Sequence, residues 1–372
     1  TYYKEIKTAK ETMLYLYLVI GFVVSMATSM LVLPWLLRLS KKRGLYDIPN
    51  ERKVHSNKIP RIGGMIFFPS VAVAVIVLSF MENVFSESPD MVRISTVIVM
   101  AGVSLVYFIG VIDDIFGLEA KFKFVVQMIA AAVMPACGMY IDNLHGLFGI
   151  HELPIFFAWG ITIFVIMLVV NAMNLIDGID GLSSSLAVVA LISFTVLYAH
   201  IGAYGCGLIS VALLASVLVF MRYNIFGDEN KNTKVFMGDA GSLILGYTFA
   251  VLFIRYATHT YVASPSAMSL SFSLLTVPVL DLVRVAFVRL FQGKSIFAAD
   301  KQHIHHICLD AGMTMRRAVV VIVALQLTII GVTAAMSHHG VNINLMLVVD
   351  VLIFASAIII LKNFRQRRKR RL

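Results

Sequence analysis

The sequence predicts an all-α bundle of about eleven membrane-spanning helices, on three observations. Hydrophobic residues fill 59% of the 372 positions and charged residues only 14%, against roughly 25% charged in an ordinary soluble domain. The apolar residues run in long blocks, Leu14–Leu37 and Leu345–Leu361 among them, and a hydrocarbon core about 30 Å thick is crossed by about 20 such residues in helical form. Those blocks also lack the amphipathic partners that would cover them inside a soluble protein.

Apolar blocks set against polar breaks place spans near 13–37, 65–81, 92–112, 123–140, 155–172, 183–199, 202–221, 240–258, 268–290, 317–336 and 342–361. The first block is too long for a secretory leader, and no small-residue cleavage site follows it. Lys and Arg collect in alternate loops: Arg38 to Arg61, Lys121 and Lys123, Arg222 to Lys234, Lys294 to Arg317, and the tail from Lys362 to Arg371. The intervening loops carry Glu82, Glu87 and Asp90, then Asp142, His145 and Glu152, then His338 and His339. The positive-inside rule therefore predicts an outside N-terminus and a cytoplasmic C-terminus, against which only Lys4, Lys7 and Lys10 speak. The basic tail reads as a topology anchor, although such a cluster also attracts anionic lipid. Cys137, Cys206 and Cys308 stand singly and suggest neither a metal framework nor a disulfide one. With no repeat and no long polar stretch, residues 1–372 read as one membrane domain.

Ionisable residues at the ends of spans are costly to keep and point to function. Four groups of them fall on the predicted cytoplasmic side. Asp113 and Asp114 end the third span; adjacent carboxylates at a helix C-terminus need a compensating cation, and Lys121 and Lys123 are the near candidates. Asn171, Asn174 and Asp177 follow at helical spacing on one face, with Gly178, Asp180 and Gly181 behind them. Their oxygens are the hard ligands that Mg2+ prefers, and capping would use one such residue rather than four. Phe236-Met-Gly-Asp239-Ala-Gly-Ser precedes the eighth span, where a helix N-terminus favours an anion and Phe236 offers a stacking face. Lys301 with His303, His305 and His306 suits donation to phosphate or sugar oxygens better than zinc binding. Carboxylates for a divalent cation beside cationic donors suit phosphoryl transfer, and no P-loop, kinase or dinucleotide-binding pattern appears.

At these motifs, and from Lys53-Val-His55-Ser-Asn-Lys58-Ile-Pro60-Arg61-Ile-Gly63-Gly64 to His306, the chain resembles the polyprenyl-phosphate N-acetylhexosamine-1-phosphate transferase superfamily (glycosyltransferase family 4). It is most similar to the WecA/TagO-like branch, which starts O-antigen, common-antigen or teichoic-acid linkage units. The histidine cluster of the muramoyl-pentapeptide branch and the Arg-rich loop of the dolichol branch are absent, whereas Arg222-Tyr-Asn224 fits the bacterial branch. The resemblance implies transfer of an N-acetylhexosamine-1-phosphate, with GlcNAc expected, from a UDP-sugar to undecaprenyl phosphate. UMP is released, Mg2+ is required (Mn2+ as a substitute), and the site lies on the cytoplasmic side of a bacterial inner membrane. Matched motif by motif, it implies Asn174 and Asp239 as metal ligands with Asp177 in or near the metal shell. It implies Asp113, Asp114 and Lys121 at the lipid phosphate, and Gly178, Asp180, Phe236 and Asn224 around the uridine side. His303, His305 and His306 would read the sugar and diphosphate, with His55, Lys58 and Arg61 in the matching first loop. Membrane lipids are further partners, a homodimer fits the superfamily, and no nucleic-acid partner is expected.

Three rival functions fit the sequence less well. A transporter of an anionic substrate would place its polar groups near the bilayer midplane, and only Asp281, Arg284 and Asp350 interrupt the spans here. A CDP-alcohol phosphotransferase would continue its Asp-Gly signature with Ala-Arg, which Asp177-Gly-Ile-Asp180-Gly does not. A scaffold leaves the Asp, Asn and His groups unexplained. The transferase reading requires these side chains to share one ligand.

Overall fold

The computed structural model describes residues 2–43, 59–85, 94–229, 231, 233–259, 262–295 and 301–370. Among them are thirteen α-helices, a 3-10 turn and one β-hairpin. The chain divides into two compact units, neither contiguous in sequence: residues 1–130 with 191–244, and residues 131–190 with 245–372.

The first unit holds α1 (Tyr2–Arg43), the 3-10 turn Gly63–Ile66, α2 (Phe67–Phe85), α3 (Ile94–Phe116) and α7 (Tyr204–Phe226). Helix α1 packs along α2 and α7. Lipid tails are as apolar as the side chains they meet, so helices here are joined by close packing and hydrogen bonds. Small hydroxyls serve that purpose: Ser29 Oγ meets Ser70 Oγ at 2.8 Å and Ser216 Oγ at 2.9 Å, and Ser25 Oγ donates to Ala212 O at 2.6 Å. Helices α4 (Ala120–Ala136), α6 (Leu182–His200) and α8 (Gly238–Ala257) each begin in one unit and end in the other.

The second unit holds β1 (Asn143–Leu147), β2 (Ile150–Glu152), α5 (Ile155–Ile176), α9 (Pro265–Ser273), α10 (Thr276–Phe291), α11 (Ile304–Asp310), α12 (Met315–His338) and α13 (Ile343–Lys369). Ser264 caps α9 through Ala267 N, and Thr314 caps α12 through Arg317 N. The antiparallel hairpin is held at its tip by Asn344, which accepts from Phe148 N at 2.7 Å and donates to Gly146 O at 2.9 Å. Short α11 lies against α12 and α13, and Arg365 pairs with Asp310 at its end at 2.8 Å.

Among the described residues, nine helical segments are long and apolar enough to cross a membrane. The two expected spans beyond these fall on shorter elements. The segment 123–140 lies largely on α4, which has 17 residues. The segment 268–290 is broken at Leu274 and Leu275 into α9 and α10. The break is stitched by fully buried Gln326, whose Nε2 donates to Ser273 O at 2.6 Å while its Oε1 accepts from Val277 N at 3.0 Å. Backbone groups freed in an apolar setting must find such partners.

Candidate active site

The first unit builds its polar cluster on α3 and the start of α8. Gly110, Asp113 and Asp114 lie three and four residues apart, hence on one face of α3. A Cβ on Gly110 would overlap the backbone of Ala240, and one on Gly64 that of Gly241, so two glycines let α3 and the 60–64 strap press against the first turn of α8. The strap is bonded in register: Phe236 N donates to Pro60 O, Gly63 N to Phe236 O and Gly64 N to Met237 O, at 2.8–2.9 Å. Arg61 lies in this strap, with its carbonyl against Gly238. Buried Asn224 holds the same segment by donating to Val235 O at 3.0 Å.

This framework gives the two adjacent aspartates different surroundings. Asp114 accepts from Asp239 N at 2.8 Å and from Ala240 N at 2.9 Å, so it caps α8 from another helix. Gly238, at φ +76°, sits directly on that carboxylate, where a side chain would be both strained and obstructed. Asp113 accepts from Leu118 N at 2.7 Å and from Lys123 Nζ at 2.8 Å. The same Lys123 Nζ donates to Asp239 Oδ2 at 2.9 Å. One ammonium thus bridges the two carboxylates, and Lys123, two residues beyond exposed Lys121, makes the contact.

The second unit carries the amide and imidazole groups. Asn171 and Asn174 lie in the last turns of α5, and Asp177 is the residue that ends it. The chain then turns through Gly178 and Asp180, with Gly181 at φ +80°, into α6. Asn171 Nδ2 donates to Met167 O of its own helix at 2.7 Å. A Cβ on Gly178 would overlap the ring of His305. His303 and His305 are buried, their rings nearly parallel with centroids 5.9 Å apart, and His306 lies 4.2 Å from His305. The structure therefore brings the turn at Gly178 and the histidine helix together within the second unit. His55 and Lys58 lie outside the described residues.

Burial pushes the His305 imidazole down to about 3, and His306 and His303 beside it act in the same direction. His305 thus stays neutral wherever the protein is folded near neutral pH. The unfolded chain takes up a proton near pH 6.5 that the folded one refuses, so this contribution to stability is complete above that pH. It is lost as pH falls towards 3, at up to about 1.4 kcal/mol per pH unit. Melting temperatures measured between pH 7.5 and 5 should fall, and His305→Gln should flatten the fall; an unchanged slope in the variant would refute it.

Hard oxygen donors suit a magnesium ion, and in the first unit Asp113 and Asp239 already share one cation, the Lys123 ammonium. Among the described residues no group of three or more His, Cys, Asp or Glu is placed to hold a metal. Mg2+ does not need such a cage, since one or two carboxylates usually suffice once substrate phosphates and water complete the shell.

Comparison with known proteins agrees with these motifs. A family model described as glycosyl transferase family 4 matches residues 96–257, which include the aspartate pair, the Asn-Asp-Gly turn and Asp239. An undecaprenyl-phosphate alpha-N-acetylglucosaminyl 1-phosphate transferase of Escherichia coli (strain K12) is 32% identical over 305 residues, covering 81% of this chain and 79% of that one. The chain belongs to glycosyl transferase family 4. Two further proteins of the same name are similar: that of Yersinia pestis at 32% over 299 residues (79% and 78% of the two chains), and that of Salmonella typhi at 33% over 307 residues (81% and 79%). As a family 4 member with nine candidate spans among the described residues, the chain is a multi-pass membrane transferase of the polyprenyl-phosphate N-acetylhexosamine-1-phosphate type.

Proposed function

We propose that this transferase moves N-acetylglucosamine-1-phosphate from UDP-N-acetylglucosamine to undecaprenyl phosphate at the cytoplasmic face of a bacterial inner membrane. The relatives' names support undecaprenyl phosphate as acceptor and N-acetylglucosamine 1-phosphate as the group moved, and the loop distribution of Lys and Arg supports the side. The observation that carries the chemistry is the Asp113–Lys123–Asp239 cluster.

In the reaction an oxygen of the lipid phosphate attacks the β-phosphorus of the UDP-sugar. The bond from that phosphorus to the bridging oxygen breaks, and UMP leaves with the electron pair. A phosphate monoester is largely ionised at pH 7, so the acceptor needs positioning and charge compensation more than a base. Lys123 has three N–H donors, of which Asp113 and Asp239 take two, leaving one for a phosphate oxygen. In the first unit Asp239, beside Asp113 across the Lys123 ammonium, is the carboxylate that would hold Mg2+, which neutralises diphosphate charge when bound. Asp114 serves this arrangement by fixing the backbone that carries Asp239. The neutral His305, with His303 and His306, reads the sugar, and Phe236 supplies a face for uracil.

The test is UMP release by the purified protein with undecaprenyl phosphate, Mg2+ and a panel of UDP-sugars. We expect release with UDP-N-acetylglucosamine, dependent on the lipid phosphate and stopped by chelation. No release with any UDP-N-acetylhexosamine, together with UDP-sugar uptake into acceptor-free vesicles, would support a transporter instead.

A further inference from the structure

Asp281 interrupts an apolar stretch, yet none of the roles above uses it. It lies on α10 and is only 1% exposed. Its Oδ2 lies 2.9 Å from His303 Nδ1, and its Oδ1 accepts from Arg284 Nη2 at 2.6 Å. It also accepts from Ile304 N, the first residue of α11, at 3.1 and 3.2 Å. Arg284 Nη2 in turn donates to Gln302 O at 2.6 Å. One buried carboxylate therefore holds the entry to the histidine helix from three directions, by its backbone, by a side chain, and through Arg284.

We propose that Asp281 is a positioning residue for the transfer reaction, acting through His303. The chemistry of the pair fixes which ring nitrogen does what. A carboxylate that already takes hydrogens from Arg284 and Ile304 can only accept, so the His303 nitrogen facing it must carry a hydrogen. That leaves Nε2 as the nitrogen that meets a ligand. His303 Nε2 is buried and has no hydrogen-bond partner among the described residues, and the same holds for Nδ1 of the neighbouring His305. Buried polar atoms are ordinarily paired. Two unpaired ring nitrogens on near-parallel imidazoles are what a site that hydrogen-bonds an incoming polar ligand would present. The arrangement parallels the way a carboxylate behind a metal-bound imidazole fixes its tautomer and orientation. The alternative is a buried ion pair that merely holds a loop; it keeps the same Nδ1 hydrogen but predicts the same loss from Asp281→Asn whether or not His303 is present.

The inference rests on the reading that the histidine cluster receives the UDP-sugar, and the experiment separates the two. In the purified full-length wild type, nitrogen-15 spectra of labelled histidine, with the His303 signals assigned by their loss in His303→Gln, should show Nδ1 protonated. An unprotonated Nδ1 overturns the proposal without any destabilised variant. In UMP-release assays Asp281→Asn should lower kcat/KM about 10–100-fold, and less than about threefold when His303→Gln is already present, because an effect transmitted through one residue is not additive with its removal. Equal losses in both backgrounds overturn the positioning role alone. Wild-type activity in His303→Gln overturns the reading beneath it. Should Asp281→Asn fail to yield a monodisperse protein, Asp281→Glu, which keeps the charge, takes its place in the same cycle with the same expected non-additivity.

Discussion

Asp239→Ala is expected to lower kcat for UMP release by about 10²–10³-fold or more, the scale lost when one fixed electrostatic partner of a transferring group is removed. Its melting temperature should stay close to that of the wild type. Asp239 is part-exposed, and Lys123, which pairs with it, keeps Asp113 when Asp239 is gone, so that ammonium is not left buried and alone. Asp114→Ala should behave in the opposite sense on stability. That substitution strips the acceptors from Asp239 N and Ala240 N at the start of α8, a helix buried along almost its whole length. Each buried donor left unsatisfied costs about 1–3 kcal/mol. Activity will fall in Asp114→Ala too, since the backbone that carries Asp239 loses its tether, but the fall should come with a lower melting temperature. Thermal shift and UMP release measured side by side on the two variants decide the matter. A stable, inactive Asp114→Ala paired with an unstable Asp239→Ala would reverse the roles.

That contrast shows where sequence reasoning reached and where it stopped. The adjacent carboxylates were conspicuous as a pair, because two charges at a helix C-terminus need a partner. Their division of labour was not legible, since the N–H groups that Asp114 accepts from lie more than a hundred residues away. The choice between Lys121 and Lys123 depended on the turn between α3 and α4. Gly117, at φ +70°, and the bond from Leu118 N to Asp113 set that turn, and helical phase then brings Lys123 back to the aspartates. Apolar run length located most of the bundle but could not register the break between α9 and α10, because Leu274 and Leu275 are as hydrophobic as their neighbours. Gln326, which completes that break, comes from another helix. The hairpin at 143–152 read as a polar loop for a related reason: Asn344, the side chain that fixes its tip, is nearly two hundred residues further on. Asp281 was visible as an intrusion in an apolar stretch, yet its role depends on His303, a partner supplied by the next loop.

Gly178→Ala tests the turn after α5 with the smallest change available. A methyl group at that position would overlap the His305 imidazole, which is 2% exposed and flanked by His303 and His306. The ring has no room to yield, so either the turn after α5 or the histidine helix must shift. Overpacking of this kind costs about 1–3 kcal/mol in stability. A displacement near 1 Å among groups that position a substrate is enough to cost about 10²-fold in rate. The expected result is therefore a folded protein with kcat/KM for the UDP-sugar about 10²-fold lower. In a His305→Ala background, where the overlap is gone, Gly178→Ala should cost less than about threefold further. If it costs the same factor in both backgrounds, the loss does not arise from that overlap. Wild-type kcat/KM in Gly178→Ala alone would mean that the contact between the turn and the histidine helix has no bearing on turnover.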